Sequence, residues 1–166
     1  MQKLRQRLLA WLKPLKPEDP ACRFLTRKKD YLVETTDDKT EYRIQPDKLL
    51  PAPNSANNGI LELSLFEVRK LDEEGIKQFL IRDGCPTQKL FGWATLPLIT
   101  FFEHGLDLDF NNIPPRHLNI IGWKEDDLVE AKAKNLLFAS LAAKSAVVVL
   151  SPPERTAHNP KYIPRP

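Results

Sequence analysis

The sequence predicts an α/β or α+β fold on one mixed sheet of five to six strands, with an N-terminal hairpin and two to three packed helices. Three observations predict it. Alternation of Leu61, Leu63 and Leu65 with Glu62 and Ser64 gives a strand with one buried and one wet face. Strand-like segments then alternate with segments bearing helix start and stop signals, a layered arrangement around a sheet. Finally, 42% hydrophobic and 28% charged residues suit a folded body, while six Gly exclude a collagen-like repeat.

At 166 residues the chain can bury roughly 68–70% of its extended surface, so it needs neither disulfides nor a metal to hold a core. The expected organisation is a basic amphipathic helix at 1–16, a single globular domain at 17–150 and a Pro-rich extended tail at 151–166. Leu4, Leu8, Trp11, Leu12 and Leu15 fall on one stripe of a 3.6-residue helix, with the basic residues mostly off it. Such a stripe docks on the chain's own body or on a partner; a basic helix can also lie on an anionic membrane surface, the weaker reading here. Pro14, Pro17 and Pro20 end that helix and stiffen the connection.

Tyr31, Val33, Tyr42 and Ile44 flank the turn-forming Asp37-Asp38-Lys39 and predict a hairpin over 30–45. Residues 46–59, with three Pro, three Asn, Ser and Gly, read as a loop before the strand beginning at Leu61. Asp72, followed by Glu73 and Glu74, predicts a helix over 72–82, where carboxylates meet the helix dipole. Lys89–Thr95 reads as a strand, and Thr95 as the cap of a short helix from Pro97 to His104 that stops at Gly105. Leu106 and Leu108 alternate with Asp107 and Asp109 as a short extended piece. Residues 117–123 predict a strand, and 126–145, rich in Ala, Leu and Lys, predict the longest helix, capped by Asp126 or Asp127. The Val-rich run 146–150 has the form of a buried strand, and the five Pro after it predict an extended tail.

Charge is unevenly placed. Of 25 basic and 22 acidic residues, 1–16 hold five basic and no acidic ones, and 151–166 hold three and one. The segment 17–150 is left with seventeen basic and twenty-one acidic residues, net −4, which disfavours duplex binding through the core and leaves only the basic termini for nucleic acid. Cys22 and Cys85, 63 positions apart, form no C-x-x-C and fit a reducing compartment, so the expected location is cytoplasmic. No run approaches the roughly 18–20 apolar residues of a membrane span.

Candidate chemistry centres on Pro114-Pro115-Arg116-His117-Leu118-Asn119-Ile120-Ile121-Gly122-Trp123. The prolines fix the entry to a strand, and period-two geometry places His117 and Asn119 on one face. Arg116 could hold a phosphate or carboxylate and His117 could move a proton near neutral pH, with Arg43 or Arg23 as a second anion contact. The structural alternative pairs Arg116 with a nearby acid and hydrogen-bonds His117 to backbone. His104, Asp107 and His117 match no recognised zinc spacing, so neither metal nor cofactor is expected. There is no G-x-S-x-G, P-loop or G-x-G-x-x-G, and Cys85 before Pro86 reads as inert. Trp93 and Trp123, each after a Gly, are assigned to core packing rather than to base-stacking platforms.

The same stretch, P-P-R-H-x-x-I-x-G-W followed by an acid-capped Ala/Leu-rich helix, resembles an uncharacterised bacterial protein family. The resemblance extends back to Leu61-Glu62-Leu63-Ser64-Leu65-Phe66 and to Arg23-Phe24-Leu25, and departs at Lys124, where the family has Pro. It implies a bacterial, cytoplasmic origin and no mechanism. The resulting expectation is an accessory or regulatory protein acting through a protein partner or as a homo-oligomer, facing partners with Leu4, Leu8, Trp11, Leu12 and Leu15. The competing expectation is an enzyme of nucleotide or nucleic-acid phosphates built on Arg116, His117 and Asn119.

Overall fold

The computed structural model describes residues 14–37, 39–54, 58–84, 89–110, 115–124 and 129–151. The stripe residues Leu4, Leu8, Trp11 and Leu12, the tail after Ser151, Cys85 and the helix caps Asp126 and Asp127 lie outside them. Leu15, the last residue of the stripe, is described and packs against the main core.

Nine strands are described: β1 (Pro20–Leu25), β2 (Tyr31–Thr36), β3 (Lys39–Ile44), β4 (Ala52–Asn54), β5 (Ile60–Glu67), β6 (Gly92–Pro97), β7 (Asp107–Asp109), β8 (His117–Ile121) and β9 (Val147–Leu150). Three helices join them: α1 (Glu73–Phe79), α2 (Ile99–Phe102) and α3 (Val129–Ser145). Seven strands form the main sheet in the order β7-β8-β5-β1-β6-β9, with β4 added to β5, and β2 and β3 form the expected hairpin as a separate two-stranded sheet.

Every pairing among the described strands is antiparallel, so the fold is α+β and the sheet is not mixed. The reason lies in strand order. β5 and β6 run in one direction, as a helical crossover through α1 requires, but β1 lies between them and pairs antiparallel with both. The crossover through α3 likewise joins β8 and β9, which share a direction but are not neighbours.

β1 is the strand that the sequence pattern hides. It begins with Pro and carries Arg23 in its middle, yet it is central: Ala21 and Leu25 enter one core while Cys22 enters the other. The loop expected over 46–59 also contains structure, a single 3₁₀ turn at Pro46–Leu49 that buries Leu49, and the short strand β4. Thr95 does not cap a helix. It stays in β6, paired with Cys22 and Val147, and α2 starts behind Leu98 without a side-chain cap. Asp72 caps α1 as expected, its carboxylate accepting from the Gly75 N–H at 2.7 Å, and a looser turn over Leu80–Gly84 follows.

The sheet separates two cores. On one face, Leu63, Leu65, Ala94, Leu96, Leu118 and Ile120 pack beneath α2, α3 and the Pro46–Leu49 turn. On the other, Cys22, Phe66 and Trp93 pack beneath α1 through Ile76, Phe79 and Leu80. Alternation along β5, β7 and β8 puts Glu62, Ser64, Asp107, Asp109, His117 and Asn119 on this second face, toward the end that α1 does not cover. No helix among the described residues is long and apolar enough to cross a membrane.

Candidate functional site

The chain enters β8 through Arg116, whose φ of 64° is a left-handed conformation uncommon for a residue with a Cβ. This turn directs the Arg116 guanidinium away from open solvent. Its Nη1 donates to Glu67 Oε2 at 2.8 Å, and its plane lies over the Phe79 ring at 5.9 Å. Glu67 is buried and also accepts from Arg69 Nε and Arg69 N, both at 2.8 Å, while Arg69 reaches Asp19 at 3.3 Å. Arg116 therefore belongs to an ion-pair network that closes the end of β5 over α1.

His117 is half-buried and stands edge-on to Phe66, ring centroids 5.5 Å apart. Burial pushes its imidazole below the ordinary value and Arg23 adds to that, while the carboxylates of Glu62 and Asp109 pull it back upward. Asn119 is buried and accepts from the Ser64 hydroxyl at 3.1 Å. Arg116 and His117 thus share the Phe66–Phe79 aromatic pair, but Arg116 faces Glu67 while His117 and Asn119 lie on the sheet face with Ser64. His104 is elsewhere, stacked on Phe138 at 4.8 Å, and no cluster of His, Cys, Asp and Glu suited to a metal occurs among the described residues. Trp93 and Trp123 are both buried.

The depressed His117 sets a pH dependence. A histidine that resists protonation in the fold contributes stability that is complete above its unfolded value near 6.5 and is lost as the pH falls from there through the folded value. Urea denaturation should show a lower midpoint at pH 5.5 than at pH 7.5, and His117→Gln should flatten that difference. An unchanged slope in the variant would assign the effect to another group.

Arg23 and Lys48 form a second charged site. The β1–β5 ladder stops at Cys22↔Phe66, and beyond it Arg23 Nη1 donates to the Ser64 carbonyl at 2.7 Å. Lys48 Nζ lies 3.4 Å from the buried carboxylate of Asp30, which also accepts from the backbone N–H groups of Thr26 and Arg27, each at 2.9 Å. Desolvation alone would raise the Asp30 carboxyl; these hydrogen bonds and the neighbouring cations hold it below its usual value. Arg43, the other candidate anion contact, sits on the hairpin against Glu34 at 3.1 Å.

A different surface stands out for its chemistry. The inward face of α3 carries Ala131, Asn135, Ala139 and Ala142, and Asn135 clasps the Lys124 backbone through both its amide oxygen and nitrogen. Its outward face carries an apolar patch among charged residues: Val129 is 83% exposed, Leu137 54% and Leu136 49%, with the exposed Ala133 among them and Glu130, Lys132, Lys134 and Lys144 around them. Beside Leu136 runs a groove of about 400 Å³ lined by Leu50, Pro51, Leu61, Lys132 and Asn135. The spacing 129, 133, 136, 137 was the sequence signal for this face, masked because a helix rich in Ala and Leu shows little contrast between its sides.

A scan against family models and searches of curated proteins and of solved structures match nothing to this chain.

Proposed function

We propose that the chain acts by binding another protein, as an accessory or regulatory subunit, and that the outward face of α3 and its groove receive the partner. One observation carries this reading: α3 leaves Val129, Leu136 and Leu137 exposed together beside the groove, set among the charged side chains of Glu130, Lys132, Lys134 and Lys144, and an exposed apolar patch with a polar rim marks an interaction surface. Lys132, Lys134 and Lys144 border the exposed leucines, so the partner surface that fits is an apolar segment with acidic residues at its margins. A reducing compartment such as the cytoplasm suits Cys22, which is buried and in no disulfide among the described residues. Leu15 turns inward onto the core, which supports packing of at least that end of the N-terminal stripe on the chain's own body. Phosphate chemistry through Arg116 is less well supported, since its guanidinium already holds Glu67.

Native mass spectra of the gently purified chain should show a stoichiometric complex with a second protein, and Leu137→Lys should abolish it while leaving thermal stability within about 0.5 kcal/mol, as expected for an exposed position. Recovery of the same complex in undiminished amount with the variant would overturn this assignment.

A further inference from the structure

The β2–β3 hairpin presents a second surface, independent of α3. Among the described residues β2 pairs only with β3, and Leu32 to Thr36 are all exposed, with Leu32 43% and Val33 37% accessible. Of the usual protections of an edge the strand has one charged side chain, Glu34, and no Pro, no lysine and no bulge in its six paired residues. The hairpin closes on the pair Thr36↔Lys39, with two positions between them in the sequence. In such a hairpin the closing pair exchanges hydrogen bonds and alternate pairs follow, so Thr36, Glu34 and Leu32 face β3 with their backbone groups. Val33 and Thr35 turn theirs outward.

We infer that this edge joins a second copy of the chain, β2 against β2 in antiparallel register centred on Val33, to make a four-stranded β3-β2-β2-β3 sheet. A two-fold axis perpendicular to the sheet requires paired residues to share a face, which restricts the centre to a residue rather than to a gap between residues. Centring on Val33 brings together the outward backbone groups of the two copies and sets Val33 against Val33, whereas centring on Glu34 would oppose like charges and inward-facing backbone. In the Val33 register Leu32 faces Glu34 of the other copy. Charge decides the occupant. The register carries Asp37, at the hairpin tip, past the end of the other strand to Lys28 and Lys29, which are exposed in the 3₁₀ turn just before β2. Within each hairpin Lys39 and Arg43 already offset Glu34 and Glu41, so the two ribbons meet without net repulsion along their length. A Pro-rich segment, poor in N–H donors, would fit this edge less well.

Sedimentation velocity of the full-length chain across a wide concentration range tests the inference. The expected species has about twice the 19.1 kDa mass of the chain, and Val33→Lys, which opposes two charges at the centre, should return it to the single-chain mass with an unchanged circular dichroism spectrum. Val33→Pro, which removes an outward N–H while leaving the β3 ladder, should do the same. Lys29→Glu and Asp37→Lys should each weaken the dimer, and combining them should restore it. A single-chain mass at every concentration, a dimer indifferent to both Val33 variants, or a double charge reversal that fails to restore association would each overturn it. Leu137→Lys leaves this edge untouched, so loss of the α3 complex and loss of the dimer are separately observable.

Discussion

Replacing Asp30 with alanine should destabilise the fold by about 3–5 kcal/mol, the cost of removing one member of a buried ion pair. The carboxylate is 1% exposed and gathers the N–H groups of Thr26 and Arg27, the Arg27 side chain at 3.1 Å and Lys48 at 3.4 Å. Without it, the largely buried Lys48 and Arg23 keep their charges with no anion between them, and the turn that launches the hairpin loses its acceptor. Burial already depresses both cations, and Arg23 lowers Lys48 further, so that repulsion becomes uncompensated. Asp30→Asn, which retains an acceptor but no charge, should fall between. Because the native carboxyl is depressed, the wild-type protein should also lose this stabilisation as the pH falls through and below the ordinary Asp value of about 3.9. Chemical denaturation at neutral pH checks the first point; a loss under about 1 kcal/mol, the scale of a surface pair, would contradict it.

Glu67→Ala should cost about 2–3 kcal/mol, somewhat less, because its partners Arg69 and Arg116 are partly exposed and can recover water. The more informative quantity is its coupling to Arg116. If Arg116 serves the fold through Glu67, Arg116→Ala in the Glu67→Ala background should cost much less than it does in the wild type, a coupling within the range of about 0.5–3 kcal/mol for residues in contact. Additive losses would release Arg116 from a structural role and return it to consideration as an anion contact.

The contrast between these two networks shows what sequence pattern conveys. The hairpin was legible because Asp37 and its neighbours make a turn between alternating segments, and β5 because Leu61, Leu63 and Leu65 mark one face. The antiparallel sheet was not. Strand–helix alternation fixes the relative direction of β5 and β6, but the insertion of β1 between them depends on contacts such as Ala21↔Leu96, between residues 75 positions apart. Arg116 attracted attention as a polar residue at a strand start, yet its partner Glu67 lies 49 positions away and only the fold joins them. For α3, composition identified the helix but concealed that Leu136 and Leu137 point outward, since small apolar residues satisfy the inner face and leave the larger ones on the surface.

The most direct test of the interaction reading is photo-crosslinking from two faces of the full-length chain in its host cell, with a benzophenone side chain placed at Leu137 or, for comparison, at Asp109. The α3 surface should yield a crosslink from position 137 to one protein, at comparable stoichiometry with that of the native complex, and none to that protein from position 109. Crosslinking from position 109, on the His117 face, with none from 137 would contradict the assignment and move the working surface to the His117 face of the sheet.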